Sequence, residues 1–325
     1  MGKSTRYSSA AGAASRAKTP VYLCFDLGGT KLRAAHISAT GRILAHVTGA
    51  VDLKAGFPGL IQLFVSLSEQ LPPAKVKSIS VASAGPLHPA KGVLLDPTNF
   101  FTLEKSWGVI PLVAQLKKAF KKPVRLENDA AAAVLGEMWK GGHGGKRNIV
   151  AMTLGTGVGI GVITNGQLVR AGRGLHTEAS HIPINSEDKN YPCGCGAYGC
   201  IEAYLAGTHF SKRMSARIGR ELTGPQAVQL AEDGDLQVRT SFREYGKYLA
   251  QAIRSLTVTF APEVVVLSGG FSHASSLFLP ETTKALPGLL ERYRDGIDLL
   301  PEVRVSRLQN DAGILGAAYL EVFKK

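Results

Sequence analysis

VYLCFDLGGTKLRAAHI, residues 21–37, reads as a strand, a glycine turn and a second strand. The run 21–26 is apolar, with β-branched and aromatic residues; Gly28-Gly29 interrupts it, and 31–37 resumes the extended pattern. A further turn near Thr40-Gly41 leads into 42–48, so the opening is an antiparallel meander rather than a strand feeding a helix. The same grammar returns in NIVAMTLGTGVGIGVITNGQLVR, residues 148–170, where Leu154-Gly155-Thr156-Gly157 falls at the place of Leu27-Gly28-Gly29-Thr30 at a constant offset of 127. The downstream turn, Asn165-Gly166 against Thr40-Gly41, comes two residues early. A divergent duplication explains this better than a short-period solenoid, and it implies two related lobes.

Between the hairpins the pattern predicts a helix at 56–70, a strand at 76–82, a helix at 109–120, a strand at 123–126 and a helix from 128. Beyond them it predicts helical segments at 201–219 and 236–260, an apolar strand at 263–268 and a terminal helix at about 311–323. This is α/β alternation. The expected division is a smaller lobe, 21–127, completed by the C-terminal helix 311–325, and a larger lobe, 128–310, carrying a cysteine-rich loop at 181–200. Residues 1–20 are rich in Ser, Ala and Gly, hold Lys3, Arg6, Arg16 and Lys18 without an acid, and read as a disordered basic tail.

The glycines of Asp26-Leu27-Gly28-Gly29-Thr30-Lys31 let backbone N–H groups approach a phosphate, and a strand-end carboxylate at Asp26 suits Mg²⁺ held through water. Walker and Rossmann patterns are excluded. The first opens a helix and carries Gly-Lys-Ser/Thr, the second needs its third glycine three places after the second, and Gly155, Gly157, Gly159 and Gly161 alternate instead. One hairpin alone reads equally well as a tight turn; the pair favours phosphate. Gly269-Gly270, after the strand at 263–268, lies where a nucleotide base would stack on backbone, although a plain turn accounts for it too.

Leu126-Glu127-Asn128-Asp129 ends a strand, and Asp129 begins an Ala-rich helix. A carboxylate there suits a general base that takes the proton of a sugar hydroxyl as its oxygen attacks the γ-phosphate. Taken by itself, the segment is also an ordinary Asn/Asp helix cap. Glu178 and His181 share a face if their segment is helical, and with Glu202 they offer acceptors suited to vicinal hydroxyls of a neutral sugar.

Cys193-Gly194-Cys195-Gly196-Ala197-Tyr198-Gly199-Cys200 is the sharpest local signal. Glycines between thiols let the backbone wrap a small ion, a C-x-C pair is poorly shaped to bridge itself, and His181 supplies a fourth ligand, so the set argues for tetrahedral Zn²⁺. Cys24 sits in an apolar strand and reads as a small hydrophobe.

At 325 residues, 45% hydrophobic and 19% charged, the chain is long enough for one large or two ordinary cores. No apolar run reaches the length of a membrane span and the start lacks a secretory core, so an intracellular, cytoplasmic protein without a membrane partner is expected. The formal charge is +13, of which the tail's four basic residues account for a part, leaving +9 on the body. That suits a polyanion. No nucleic-acid-binding motif accompanies it, so ATP or polyphosphate serves the charge as well, and no nucleic-acid partner is expected.

Together, Asp26-Leu-Gly-Gly-Thr-Lys31, Glu127-Asn-Asp129, Leu154-Gly-Thr-Gly157, Glu178-Ala-Ser-His181 and the Cys193 to Cys200 cluster resemble the ROK family of repressors and sugar kinases, over about residues 21–323. The resemblance implies a two-domain actin-like (ribonuclease H-like) ATPase fold with an inserted zinc loop, closing on ATP and a hexose. It implies Asp129 as base, Asp26 near Mg²⁺, and a phosphate cradle of Gly28, Gly29, Thr30, Lys31, Gly155, Thr156 and Gly157, with Gly269 and Gly270 beside the nucleotide. It further implies that Asn128, Asp129, Glu178, His181 and Glu202 hold sugar hydroxyls, with Asn99 and the Gly85-Pro86 turn lining the pocket, and a homodimer or dimer of dimers. Glucose is the acceptor it favours, ahead of fructose, mannose, N-acetylglucosamine and N-acetylmannosamine. A sugar-sensing regulator is the alternative from another class, disfavoured because 20 residues cannot hold the three-helix unit that enters a major groove. Two departures bear on substrate preference: Ser180 precedes His181 where glycine is common, and the His181 to Cys193 spacing is about two residues longer.

Overall fold

The computed structural model describes residues 19–97, 101–102, 105–291 and 297–323. The expected tail, apart from Thr19 and Pro20, lies outside the described residues, as does Asn99. Strands β1 (Val21–Leu27), β2 (Lys31–Ser38) and β3 (Ile43–Ala50) form the first meander, followed by α1 (Gly56–Glu69) and β4 (Val76–Ser83). Short strands β5 (Leu87–His88), β6 (Val93–Leu95), β7 (Phe101–Thr102), β8 (Lys105–Ser106) and β9 (Val109–Ile110) precede α2 (Leu112–Phe120), β10 (Val124–Asn128) and α3 (Asp129–Lys140). The second meander is β11 (Ile149–Leu154), β12 (Val158–Thr164) and β13 (Gln167–Leu168). Helices α4 (Ile201–Leu205), α5 (Gly207–Ile218), α6 (Gly224–Glu232) and α7 (Leu236–Phe260) follow, then β14 (Val264–Ser268), α8 (Ser275–Leu290), β15 (Glu302–Val305) and α9 (Ala312–Val322).

The two large sheets share one design. The first runs β10-β4-β1-β2-β3 and the second β13-β12-β11-β14-β15, so each has its meander on one side and two added strands on the other. In both, the added strands are parallel to the meander's first strand: β1 pairs with β4 and β4 with β10, while β11 pairs with β14 and β14 with β15. The first core joins Phe25, Leu32 and Val81 of the sheet to Leu60 and Phe64 of α1 and Leu116 of α2. The second joins Met152, Ile160 and Leu267 to a helical layer that includes Phe210, Phe242, Tyr245 and Phe278.

Between the sheets lie α3 and α9, each packed on the sheet it does not follow in sequence. α3 leaves β10 of the first sheet and packs on β11 and β12; α9 comes after β15 of the second and packs on β1 and β4. Small residues allow the helices to cross backbone to backbone. A Cβ on Gly136 would stand 2.1 Å from the Ala312 carbonyl oxygen, and one on Gly316 would stand 1.6 Å from that of Ala132. Ala132 and Gly136 are one turn apart, as are Ala312 and Gly316, so the same small pair faces the crossing from both helices.

Three local differences from the sequence expectation have physical causes. The helix expected at 109–120 begins at Leu112, because Pro111 forces Ile110 out of the helical region and 109–110 pairs as β9 instead. The stretch 201–219 breaks at Ala206, which is extended (ψ 134°), so that the Gly207 N–H can bond the Gly155 carbonyl at 2.8 Å. At Glu178 to His181 the chain makes a 3-10 turn, Ala179–His181, with Glu178 just outside it.

Candidate active site and metal cluster

Asp26 and Asp129 come from different strand ends of the first sheet. Asp26 is the penultimate residue of β1, and Asp129 opens α3 directly after β10. The capping duty falls on Asn128: its Oδ1 accepts the N–H groups of Ala130 at 3.0 Å and Ala131 at 3.1 Å. Asp129 Oδ1 accepts from Ala130 N at 2.8 Å and from Asn128 Nδ2 at 3.0 Å, while no described hydrogen bond engages Oδ2. Burial raises the Asp129 carboxyl against the opposing pull of the Ala130 N–H and His176, and Glu178 adds to the rise. Burial, then the Asp129 charge, push Asp26 up to about 7 against the pull of Arg33. Asp26 therefore feels the Asp129 charge.

Each glycine hairpin is closed by an internal bond, the second turn being one residue shorter. Gly28 N donates to Lys31 O at 2.9 Å and Gly155 N to Gly157 O at 3.0 Å. Thr30, Lys31 and Thr156 are exposed at the tips, and Lys31 is in no ion pair among the described residues. The second tip is held from behind by α5, through Gly207 N and through Thr208 Oγ1 donating to Thr156 O at 2.7 Å. Gly269, at φ 82°, packs against the end of β11, where a Cβ would lie 2.4 Å from Leu154 O; Gly270 opens the following 3-10 turn. This brings the Gly269-Gly270 pair to the base of the second hairpin.

His181, Cys193, Cys195 and Cys200 present ligand atoms that all lie within 4.8 Å of one another. Cys195 and Cys200 sulfurs are 3.7 Å apart, and Cys193 Sγ is 3.4 Å from His181 Nδ1. Two sulfurs at tetrahedral positions on zinc, each at ~2.3 Å, stand ~3.8 Å apart, so the donor set and its spacing fit that ion. Gly199 permits the wrap, since a Cβ there would collide with the Asn185 carbonyl oxygen at 1.8 Å. The Ala197 N–H directed at Cys195 holds that thiol below its ordinary range, favouring the thiolate a metal needs. His181 turns its other nitrogen the opposite way: Nε2 is 3.9 Å from Glu178 Oε2.

Glu202, at the start of α4, joins the metal cluster to the second hairpin. Its Oε2 accepts the Val158 N–H at 3.1 Å and its Oε1 lies 3.8 Å from Cys193 Sγ. Gly85, in its turn with Pro86, abuts His176.

Two further residues belong to this region and were not singled out from the sequence. Arg170, after β13, forms a two-pronged pair with buried Glu127 of β10, at 2.9 and 2.5 Å, so the second meander grips the strand that carries Asn128 and Asp129. Glu127 also accepts the Asn128 N–H at 3.0 Å. Arg170 carries no motif, and its separation from Glu127 along the chain conceals the pair. His176 is the other; its place two residues before Glu178 was the available clue.

A model of the ROK family matches residues 22–322. The chain belongs to the ROK family. This ROK chain is 33% identical over 317 residues to a glucokinase of Thermotoga maritima, covering 90% of this chain and 94% of that one. Among solved structures, it resembles a ROK hexokinase of Thermus thermophilus with a TM-score of 0.79 at 29% identity, covering 93% and 99% of the two chains. It also resembles a ROK family glucokinase of Streptomyces griseus in complex with glucose and AMPPNP, with a TM-score of 0.75 at 27% identity over 92% and 98% of the chains. The fold is thus that of the actin-like ROK kinases. Among the described residues no helix is long and apolar enough to cross a membrane.

Proposed function

We propose that this protein transfers the γ-phosphate of ATP to the 6-hydroxyl of a hexose, with glucose as the preferred acceptor. The observation that carries the reading is the division of labour at the start of α3: Asn128 caps the helix, and among the described residues Asp129 Oδ2, within reach of the Asp26 charge, has no hydrogen-bond partner. An ionised Oδ2 takes the proton from the attacking hydroxyl, and the proton departs as the oxygen–phosphorus bond forms and the bond to the β-phosphate oxygen breaks. Asp26 holds Mg²⁺ through water, and the N–H groups of Gly28, Gly29, Gly155 and Gly157, with Thr30, Lys31 and Thr156, receive the phosphates. Gly269 and Gly270 lie against the nucleotide.

Glu178 and His181 support the sugar assignment through the 3.9 Å gap between Oε2 and Nε2. A hydroxyl seated in that gap donates to the carboxylate and accepts from the imidazole N–H. His181, Cys193, Cys195 and Cys200 would hold a structural zinc, which supplies no open position for water and orients the His181 ring. Asn128 and Glu202 complete the sugar contacts, with Gly85 and, by the family resemblance, Asn99 at the edge. The reading takes 21–127 with 311–325 as one lobe and 128–310 as the other, in a cytoplasmic homodimer, the last two points resting on the family resemblance.

An ADP-release assay across six hexoses, with ATP and with polyphosphate as donors, tests the substrate. Asp129→Asn is expected to fold and bind glucose while turnover falls by roughly 10²–10⁴-fold, the span of a general base; a fully active variant would sink the proposal.

A further inference from the structure

His176 stands between two parts of the sugar site and has no part in the phosphotransfer described above. Its ring is buried, 5% exposed, whereas its partner Glu178 is half exposed to the cleft. Nε2 is 2.7 Å from Glu178 Oε1. Nδ1 is buried and has no hydrogen-bond partner among the described residues. This pattern fixes the direction of the bond. A proton on Nδ1 would be an unpaired buried donor, so the neutral ring carries it on Nε2, which donates, and the carboxylate accepts. The opposite side of the ring meets the Gly85-Pro86 turn, where a Cβ on Gly85 would fall 2.8 Å from Cε1 and 2.9 Å from Nε2. Gly85 is thus the residue that leaves room for the imidazole to reach Glu178.

We propose that His176 is the positioning residue of the sugar site: wedged against Gly85, it holds Oε1 of Glu178 so that Oε2 faces a non-reacting sugar hydroxyl across from His181. This rests on the hexose-kinase reading and deepens it. One oxygen of Glu178 is tethered and the other is aimed, which a half-exposed glutamate with several free torsions would not achieve alone.

The test is steady-state kinetics with glucose and MgATP on five proteins: wild type, His176→Ala, His176→Gln, Gly85→Ala and the double variant with Gly85→Ala in the His176→Ala background. Loss of a hydrogen bond to a charged group predicts a glucose KM raised about 10- to 100-fold in His176→Ala, with kcat kept within about threefold. His176→Gln, which restores an N–H donor at nearly the same reach, returns KM to within about threefold of wild type. Gly85→Ala raises KM by displacing the ring, and the same change in the His176→Ala background adds less than about twofold, a coupling that a merely structural role would not produce. A folded His176→Ala protein with wild-type KM, a Gln variant as impaired as the Ala variant, or additive effects at 85 and 176 would each overturn the inference. Should His176→Ala fail to fold, a folded Gly85→Ala protein with unchanged KM does the same. Wild type that phosphorylates no hexose defeats the functional reading itself and is distinguished by that silence.

Discussion

Asp26 in the first hairpin and Thr153 in the second occupy equivalent places in strands of one design, yet they do different work. Asp26 is a carboxylate raised to about 7 by burial and by Asp129. Thr153 turns inward: its Oγ1 accepts the Gly159 N–H at 3.1 Å and lies 3.3 Å from the Gly159 carbonyl, pinning its own hairpin. The surroundings diverge in the same sense. The first tip keeps Lys31 exposed and outside any ion pair among the described residues, whereas the second is anchored by Gly207, Thr208 and Glu202. Duplication thus supplied a cradle twice and the charge once. A phosphate chain between two carboxylates would be repelled, so on the proposed function one acidic hairpin and one neutral one would suit a nucleotide with its cation.

From this asymmetry, Asp26→Asn is expected to lower kcat/KM for MgATP by about 10²-fold or more, as for loss of a preorganised electrostatic group, while Thr153→Val leaves it within about threefold and costs about 1 kcal/mol of stability. Equal effects at the two positions, measured by kinetics and urea unfolding, would erase the distinction. Gly316→Val presses a side chain into the Ala132 carbonyl and is expected to cost about 3 kcal/mol or more, read in the same unfolding experiment. Cys195→Ala, or removal of the ion by a chelator, is expected to raise the glucose KM severalfold, about 1 kcal/mol in affinity, as well as lower the thermal midpoint, because His181 loses the partner that aims it. An unchanged KM in a folded zinc-free variant would make the metal's role purely architectural. The smallest effect is that of pH. An acid whose value is raised to about 7 is protonated below it, so kcat/KM for MgATP falls as pH drops through about 7, a fall absent from Asp26→Asn.

Much of this was legible from residue order. Both meanders, the shared offset of their glycine turns, the four metal-cluster residues and the α/β alternation follow from periodicity and turn chemistry, which are local. What escaped detection was of two kinds. Helix α8 contains Pro280 and Pro287, which read as breaks, and α6 is announced only by the Thr223 to Gln226 capping box. The second kind is tertiary: the Glu127 to Arg170 pair, the reach of Glu202 back to Val158 and the wedge of His176 against Gly85 join residues whose proximity exists only in the fold. Asn128 and Asp129 illustrate the boundary between the two. Sequence left open which of them capped the helix, and only the hydrogen bonds assign that task to Asn128.

The crossing of α3 and α9 has a consequence for how the chain comes into being. Each helix covers the face of the other half's sheet that the half's own helices leave bare, so neither sheet is covered on both faces until both halves have been synthesised. Folding is then expected to wait for the last dozen residues, and unfolding to be a single cooperative event despite two hydrophobic cores. A truncated first half should emerge as a sheet with one face bare, a client for chaperones rather than a small stable domain.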